Sequence, residues 1–137
     1  MRNFVFAGLM AVTGLDASAA TLTLKVSGVR SSDGHLVVLV EESADGWNGR
    51  QKEAARVRIK ASAGEVKYRF EGLPAGDYAV QIFHDENDNG DLDKNLFGIP
   101  SEDYGFSQNP NVWRRATFDE AKFDLAADGG EIVVRLR

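Results

Sequence analysis

Between residues 85 and 93, short oxygen-bearing side chains occupy every second position of the chain. They are Asp85, Asn87, Asn89, Asp91 and Asp93, with a glycine at position 90. Ca²⁺ in proteins takes about six to eight oxygen ligands, and a short loop can supply them by curling around the ion. The spacing matches the D-x-[DN]-x-[DN]-G part of a calcium-binding loop, in which Asp91 contributes its backbone carbonyl. The sequence therefore predicts a Ca²⁺ site formed by these five residues.

The rest of the pattern departs from a helix–loop–helix calcium site. The twelfth position, where a closing glutamate is expected, is Leu96. A strand pattern precedes the loop at residues 78–83, and an irregular segment follows it. Glu102 and Asp103 come soon afterwards and could close the ligand shell in place of the missing glutamate. Two alternatives stay open: both acids could be solvated, and the whole motif could be an Asx-rich turn.

The first twenty residues have the order of a secretory signal peptide. A positive charge at Arg2 precedes the apolar run 4–12, which is too short to span a bilayer. Small residues follow, so we expect cleavage after Ala19 or Ala20. The alternative is an N-terminal strand or buried helix of the folded domain. With a signal peptide at 1–20, residues 21–137 form one domain, which is expected to be periplasmic or secreted.

Composition excludes several classes of protein. The 137 residues include 16 Lys and Arg against 21 Asp and Glu, for a net charge of −5. This balance argues against nucleic-acid binding, which needs a basic face. The chain has no cysteine, so neither disulfides nor a thiol nucleophile are available. No second apolar run reaches the length of a transmembrane helix, and none is expected in the mature chain.

Alternating apolar side chains predict seven short β-strands. They fall within residues 21–26, 35–40, 56–61, 65–70, 78–82, 121–125 and 132–136, with glycine-containing turn signals between several of them. The segment 43–53 could hold a short helix or a loop. Seven strands separated by tight turns predict an all-β fold, a β-sandwich with Greek-key connections.

Residues 84–117 show no regular pattern and exceed the usual length of a loop. Their aromatic content, which includes Tyr104 and Phe106, argues against disorder. We expect an ordered cap over one end of the sandwich, with the calcium loop as its first part and its staple. A pocket beneath this cap makes His84, Tyr104 and Phe106 candidate ligand-binding residues.

Two motifs carry a resemblance to known families. Residues 72–80, Gly-Leu-Pro-Ala-Gly-Asp-Tyr-Ala-Val, resemble the strand-entry motif of transthyretin-like (prealbumin-like) and carboxypeptidase-regulatory-like sandwiches. The run His-Asp-Glu-Asn-Asp-Asn-Gly at 84–90, followed by Gly-Ile-Pro-Ser-Glu-Asp-Tyr-Gly-Phe-Ser at 98–107, resembles a bacterial exported family, domain of unknown function 2141. The resemblance implies a β-sandwich fold of this kind, and it brings no established activity. Because Glu102 lies within the second motif, the resemblance favours it as the extra calcium ligand.

The inventory of catalytic residues is small. The only histidines are His35 and His84, and nothing in the sequence places either beside a serine such as Ser101 or Ser107. The sequence favours an exported, non-enzymatic calcium-binding protein, either an envelope-accessory or a ligand-binding module. Its partner could be a carbohydrate, a peptide or an envelope component. The alternative is a hydrolase or ligand-processing protein with a pocket under the aromatic cap near His84.

Overall fold

The computed structural model describes residues 19–92, 101–112 and 114–137. Its strands are β1 (Ala19–Val29), β2 (His35–Glu41), β3 (Ala55–Lys60), β4 (Gly64–Pro74), β5 (Gly76–Asp85), β6 (Tyr104–Phe106), β7 (Phe123–Leu125) and β8 (Gly130–Arg135). Two helices of 4 residues each, α1 (Ala44–Trp47) and α2 (Phe118–Ala121), lie between strands. The all-β class predicted from the sequence is confirmed.

The strands form two sheets. The smaller sheet has the order β4-β1-β8, in which β1 runs antiparallel to β4 and parallel to β8. The larger, five-stranded sheet has the antiparallel order β3-β2-β5-β6. Its fifth strand, β7, pairs with β5 at residues 76–78, while β6 pairs with the same strand at residues 81–83. The Greek-key and transthyretin-like descriptions of this arrangement stay predictions.

The main core lies between the two sheets, where the alternation in the sequence places it. Leu22, Leu24 and Val26 of β1 are fully buried, while the residues between them are partly exposed. They belong to one apolar cluster with Val38 of β2 and Ile82 of β5 in the opposite sheet. Burying a side chain of this size contributes about 1.5–3 kcal/mol. The sandwich therefore has a core that does not depend on the loop after β5.

A second, smaller apolar cluster covers the outer face of the five-stranded sheet. Its buried members are Trp47, Ala79, Phe106, Ala116 and Ala121. The Trp47 indole N–H donates to the Ala116 carbonyl at 2.8 Å, and the Trp47 and Phe106 rings are 5.8 Å apart. Because side chains alternate along a strand, Ala79 of β5 faces this cluster rather than the main core. Trp47 thereby fastens α1 to the sheet.

Two sequence predictions are wrong in detail. The segment 84–117 is not one irregular cap, because Tyr104–Phe106 forms strand β6 along the free edge of β5. Phe106 consequently packs on the outer face of the sheet rather than over an end of the sandwich. The sixth predicted strand, 121–125, begins only at Phe123, since Ala121 ends helix α2. The described residues contain eight strands, not seven.

The N-terminal end of β1 overlaps the predicted cleavage site. Ala19 pairs with Pro74 and Ala20 with Leu73, so cleavage after Ala20 would remove the first two pairs of this strand. Several features of the sequence analysis lie outside the described residues. They are the charged and apolar parts of the predicted signal peptide, the predicted ligand Asp93, and the aromatic residues Phe97 and Trp113. Within the described residues, no helix is long and apolar enough to cross a membrane.

Candidate metal site

The loop that follows β5 curls around the carboxylate of Asp85. This side chain is fully buried, and its two oxygens accept the backbone N–H groups of Asn89 at 3.1 Å and Gly90 at 2.8 Å. Gly90 has a φ of 86°, a left-handed conformation that glycine adopts without steric cost. The last residue of the strand thus acts as the centre of the turn.

The two asparagines also direct their oxygens into the loop. Asn87 Oδ1 accepts the Asn89 N–H at 3.3 Å, and Asn89 Oδ1 accepts the Asp91 N–H at 3.0 Å. Short polar side chains that accept backbone hydrogen bonds two residues further on are typical of Asx turns. Asp85, Asn87 and Asn89, the first three predicted ligands, therefore share one side of the turn.

Glu86 faces the scaffold instead. Its carboxylate accepts a hydrogen bond from the Ser31 hydroxyl at 2.9 Å and one from the Arg30 guanidinium at 3.0 Å. The hydrogen bond from Ser31, helped by Arg30, lowers the pKa of Glu86. These contacts hold the first turn of the loop against the connection between β1 and β2.

Asp88 makes a second attachment to the scaffold. Its Oδ1 accepts from Arg58 at 3.1 Å and lies 2.7 Å from His35 Nδ1. The contact with His35 is the main cause of a lowered pKa for Asp88. Sequence reasoning missed these partners, because Arg58 and His35 lie on β3 and β2 and no local spacing connects them to the loop.

The structure separates the two acids that could complete the site. Glu102 is buried, and its Oε2 accepts the Glu86 backbone N–H at 2.9 Å. Asp103 turns its carboxylate to Arg30 at 3.5 Å and uses its carbonyl to accept the His84 N–H at 2.9 Å. Glu102 is therefore the acid that lies against the calcium loop.

The described part of the chain contains no group of three or more His, Cys, Asp or Glu side chains arranged to hold a metal ion. The predicted ligand set consists in part of other donors, namely two amide oxygens and the carbonyl of Asp91, and Asp93 lies outside the described residues. Among the predicted ligands that the structure describes, the carboxylates of Asp85 and Glu102 both contact the backbone of the same loop.

His84 and Ser107 use their polar atoms at different places in the fold. His84 is fully buried, and its Nε2 donates to the Asp33 carbonyl at 2.7 Å, while its Nδ1 has no partner among the described residues. The Ser107 hydroxyl donates to the Ala121 carbonyl at 2.6 Å and accepts the Val80 N–H at 2.8 Å. These bonds tie loop segments to strands and do not bring the two side chains together as a catalytic pair.

The rings of Tyr104 and Phe106 meet edge to face, with centroids 5.6 Å apart. A cavity of about 40 Å³ beside Phe106 is lined by polar residues such as Asn109 and Arg135. Ligand pockets are typically about 300–1,000 Å³, so this cavity is far smaller than a pocket for a substrate. The two aromatic residues act here as packing groups of an edge strand.

A family model described as an uncharacterized protein conserved in bacteria (DUF2141) matches residues 24–133. The match begins within β1, ends within β8 and includes the whole candidate site. It confirms the bacterial family that the motif at 84–90 and 98–107 resembles. No curated protein and no solved structure was found to match the chain.

Proposed function

The chain belongs to the DUF2141 family of bacterial proteins, and we propose that it is an exported calcium-binding module without enzymatic activity. The ion is held by the side chains of Asp85, Asn87 and Asn89 and by the carbonyl of Asp91. Asp93 and Glu102 complete the shell. The sandwich serves as the rigid support, and its partner is a carbohydrate, a peptide or an envelope component.

One observation carries this proposal: alternate side chains of the loop face opposite ways. Glu86 and Asp88 are attached to the scaffold through Ser31 and His35. The residues that alternate with them, Asp85, Asn87 and Asn89, accept backbone N–H groups of the loop itself with their side-chain oxygens. A turn that only solvated itself would not need its even-numbered acids anchored to two different parts of the sandwich.

Charge supplies the second argument. Asp85 and Glu102 are both buried, and each contacts the first turn of the same loop. Two buried carboxylates at one loop concentrate negative charge there, which favours the binding of a cation. Carboxylate, amide and carbonyl oxygens are the ligands that Ca²⁺ prefers, and this mixture suits a flexible site of about six to eight ligands.

Export follows from the order of charge, apolar run and small residues in the first twenty positions. Calcium sites in extracellular modules have dissociation constants of about 10⁻⁴–10⁻³ M, which matches the supply outside the cytoplasm. Mass spectrometry of the protein recovered from a bacterial periplasm tests this step. We expect the mature chain to begin at Ala20 or Thr21, and a chain that retains Met1 contradicts export.

Calorimetric titration of the chelator-treated protein tests calcium binding directly. We expect one site per chain, and we expect Asp85→Asn to weaken binding at least tenfold. Asp91→Asn is the matched control, because it removes the same charge while keeping the carbonyl that binds the ion. No binding heat at millimolar Ca²⁺ contradicts the proposal, and so does an equal loss of affinity in both variants.

A further variant tests the closing ligand. Glu102→Gln keeps the size of the side chain and an oxygen that can accept the Glu86 N–H, but removes the charge. We expect weaker calcium binding with an unchanged circular dichroism spectrum. Asp103→Asn serves as its control, because the Asp103 carboxylate faces Arg30 rather than the loop.

A further inference from the structure

The outer face of the five-stranded sheet holds a buried carboxyl group at some distance from the candidate metal site in the chain. Glu41, the last residue of β2, has only 4% of its surface exposed. It pairs with Ala79 of β5 and lies beneath α1. A Cβ atom added to Gly46 of that helix would be 2.7 Å from Glu41 Oε1. Glycine in a helix costs about 1 kcal/mol relative to alanine, and this close approach explains its presence.

The carboxyl group lacks the partners that an ion needs. Glu41 Oε1 is buried and has no hydrogen-bond partner among the described residues. An ionised carboxylate loses its hydration in such a position and is penalised more heavily than the neutral acid. Burial, followed by the negative charge of Glu53, raises the pKa of Glu41 to about 7.

The charges around Glu41 come from several elements. Those that act on its ionisation are Glu53 of the loop after α1, Arg115 before α2 and Glu42 beside it. Of the charged groups on α2, Glu120 is paired with Arg114. Asp45 is 3.7 Å from Arg50, and the Tyr78 hydroxyl donates to the Pro74 carbonyl. Of the cations, Arg115 is the one whose charge favours the ionised form of Glu41.

Arg115 is engaged elsewhere. Its guanidinium donates to the Trp47 carbonyl at 2.7 Å and to Gln81 Oε1 at 3.0 Å, and it lies 4.8 Å from the centre of the Trp47 ring. One cation thus stabilises the end of α1, while beneath the same helix Glu41 Oε1 has no partner among the described residues. Both hydrogen bonds use the same guanidinium nitrogen, and pairing with Glu41 would compete with the Trp47 contacts for this side chain.

We propose that Glu41 and Arg115 form a proton-controlled switch that sets how firmly α1 is held on the outer face of the sheet. With Glu41 protonated, Arg115 stays on Trp47 and the helix is seated. When the proton leaves, the carboxylate attracts Arg115, the contacts with the Trp47 carbonyl and ring are lost, and α1 loosens. Two arrangements that differ by a few kcal/mol are enough for protonation to shift their populations.

Nuclear magnetic resonance of the isotope-labelled full chain tests the proton step. We expect the side-chain carboxyl carbon of Glu41 to titrate with a midpoint within about one unit of 7, and the Arg115 Nε–H signal to move with the same midpoint. A midpoint below pH 5, or an Arg115 signal that does not follow Glu41, overturns the proposal. This experiment uses the unsubstituted chain and does not depend on whether a variant folds.

Fluorescence tests the mechanical step. In a Trp113→Phe background, Trp47 is the only tryptophan, and we expect its emission to change between pH 6 and pH 8. Glu41→Gln, which mimics the protonated acid, should abolish the change. Glu42→Gln, the matched control, should keep it with a slightly lower midpoint. A change that persists in Glu41→Gln, or disappears in both variants, overturns the proposal.

Calcium distinguishes this switch from the candidate metal site. We expect the same pH transition in excess chelator and in millimolar Ca²⁺, because Glu41 and Arg115 contact none of the predicted ligands that the structure describes. A transition present in only one of these conditions overturns the assignment to Glu41 and Arg115. Failure of calcium binding leaves the switch standing, so the two proposals fail independently.

Discussion

At Gly34, the backbone of the turn between β1 and β2 runs directly against the end of β5. The residue has a φ of 65°, and a Cβ atom there would overlap the carbonyl oxygen of Asp85. The nearest atoms, the Asp85 carbonyl oxygen and two atoms of Glu86, belong to the backbone and cannot move as a side chain can. Gly34 therefore fixes the position of the strand end from which the candidate calcium loop departs.

We expect Gly34→Ala to destabilise the protein strongly. The left-handed conformation alone costs a non-glycine residue about 1–2 kcal/mol, and the overlap adds about 1–3 kcal/mol. Gly49 is a matched control, because its φ is 80° and an added Cβ would meet nothing within 4 Å. Urea unfolding of the two variants should show the larger loss for Gly34→Ala. Equal losses would mean that the turn can move away from Asp85.

Glu41 gives a second prediction for a single residue, on the pH dependence of stability. Its pKa is about 7 in the folded chain and near its usual 4.5 in the unfolded chain. Because folding raises the pKa of Glu41, its contribution to the free energy of unfolding is fully present below pH 4.5. This contribution is lost as the pH rises through 7. Because each tenfold change in proton affinity corresponds to about 1.4 kcal/mol, the loss is about 3 kcal/mol at most.

Urea unfolding at pH 5 and pH 8 checks this loss. We expect the unsubstituted chain to be less stable than Glu41→Gln at pH 8, with a smaller difference at pH 5. The Glu42→Gln variant should follow the unsubstituted chain. If the difference between Glu41→Gln and the unsubstituted chain is the same at both pH values, Glu41 does not titrate in this range.

Among the secondary-structure elements, β6 and β8 form the edge where the two sheets meet. Tyr104 and Arg137 exchange backbone hydrogen bonds at 3.2 Å and 3.0 Å, which links β6 to the residues just after β8. The side chain of Asn109 continues this pairing: its Oδ1 accepts the Arg135 N–H at 2.8 Å, and its Nδ2 donates to the Val133 carbonyl at 3.0 Å. One amide side chain thus takes the place of a strand neighbour along β8.

We expect Asn109→Gly to loosen β8 locally. Asn109 has a φ of 46°, which glycine accepts, so the variant removes the side-chain bonds without adding strain. Losing such bonds at an exposed site costs about 1 kcal/mol, which corresponds to roughly fivefold faster hydrogen exchange at the Arg135 amide. Gln108→Gly is the control, since Gln108 has a φ of 65° and bonds to Lys122 instead. Equal effects of the two variants would contradict the role of Asn109.

The long strands could be predicted from the sequence because one face of each is buried in a common core. Leu22, Leu24 and Val26 alternate with polar residues, and this period-2 pattern is a local property of the chain. Strand β6 has only three residues, and long-range pairing with β5 holds it in place. Helix α2 did have a local signal that was missed, since Thr117 and Glu120 form a capping box.

For the candidate site, the sequence supplied the ligand types but not what holds the loop. Asp85, Asn87 and Asn89 follow from spacing alone, and the family motif favoured Glu102, which the structure places against Glu86. The attachments through Arg30 and His35 join residues more than fifty positions apart. Such contacts depend on sheet order, which the alternation of apolar residues does not determine.

At the scale of the whole molecule, the main core and the candidate calcium loop are separate parts of the structure. Among the described residues, the apolar cluster between the sheets contains none from the loop, and residues from both sheets form it. The loop is attached to the scaffold at one end of this core, through Glu86 and Asp88. Removing the ion should therefore affect the loop and the segments that touch it, while the two sheets persist.

We expect chelation to lower the melting temperature by several degrees and to leave the β-sheet circular dichroism intact. Binding to the folded form alone adds about 2.7 kcal/mol at a hundredfold excess of Ca²⁺ over the dissociation constant. Without the ion, the loop loses the bonds that the ligands make to the metal, so hydrogen exchange should rise mainly between residues 84 and 112. Strand β1 should keep its protection, because it pairs with β4 and β8, and neither of these strands contains a predicted ligand. Asp85→Asn is the control, since a chain that no longer binds calcium should respond little to the chelator.

Cooperative loss of every strand on chelation would mean that the ion holds the whole sandwich together. Unchanged exchange after β5 would mean that the loop keeps its shape without a cation.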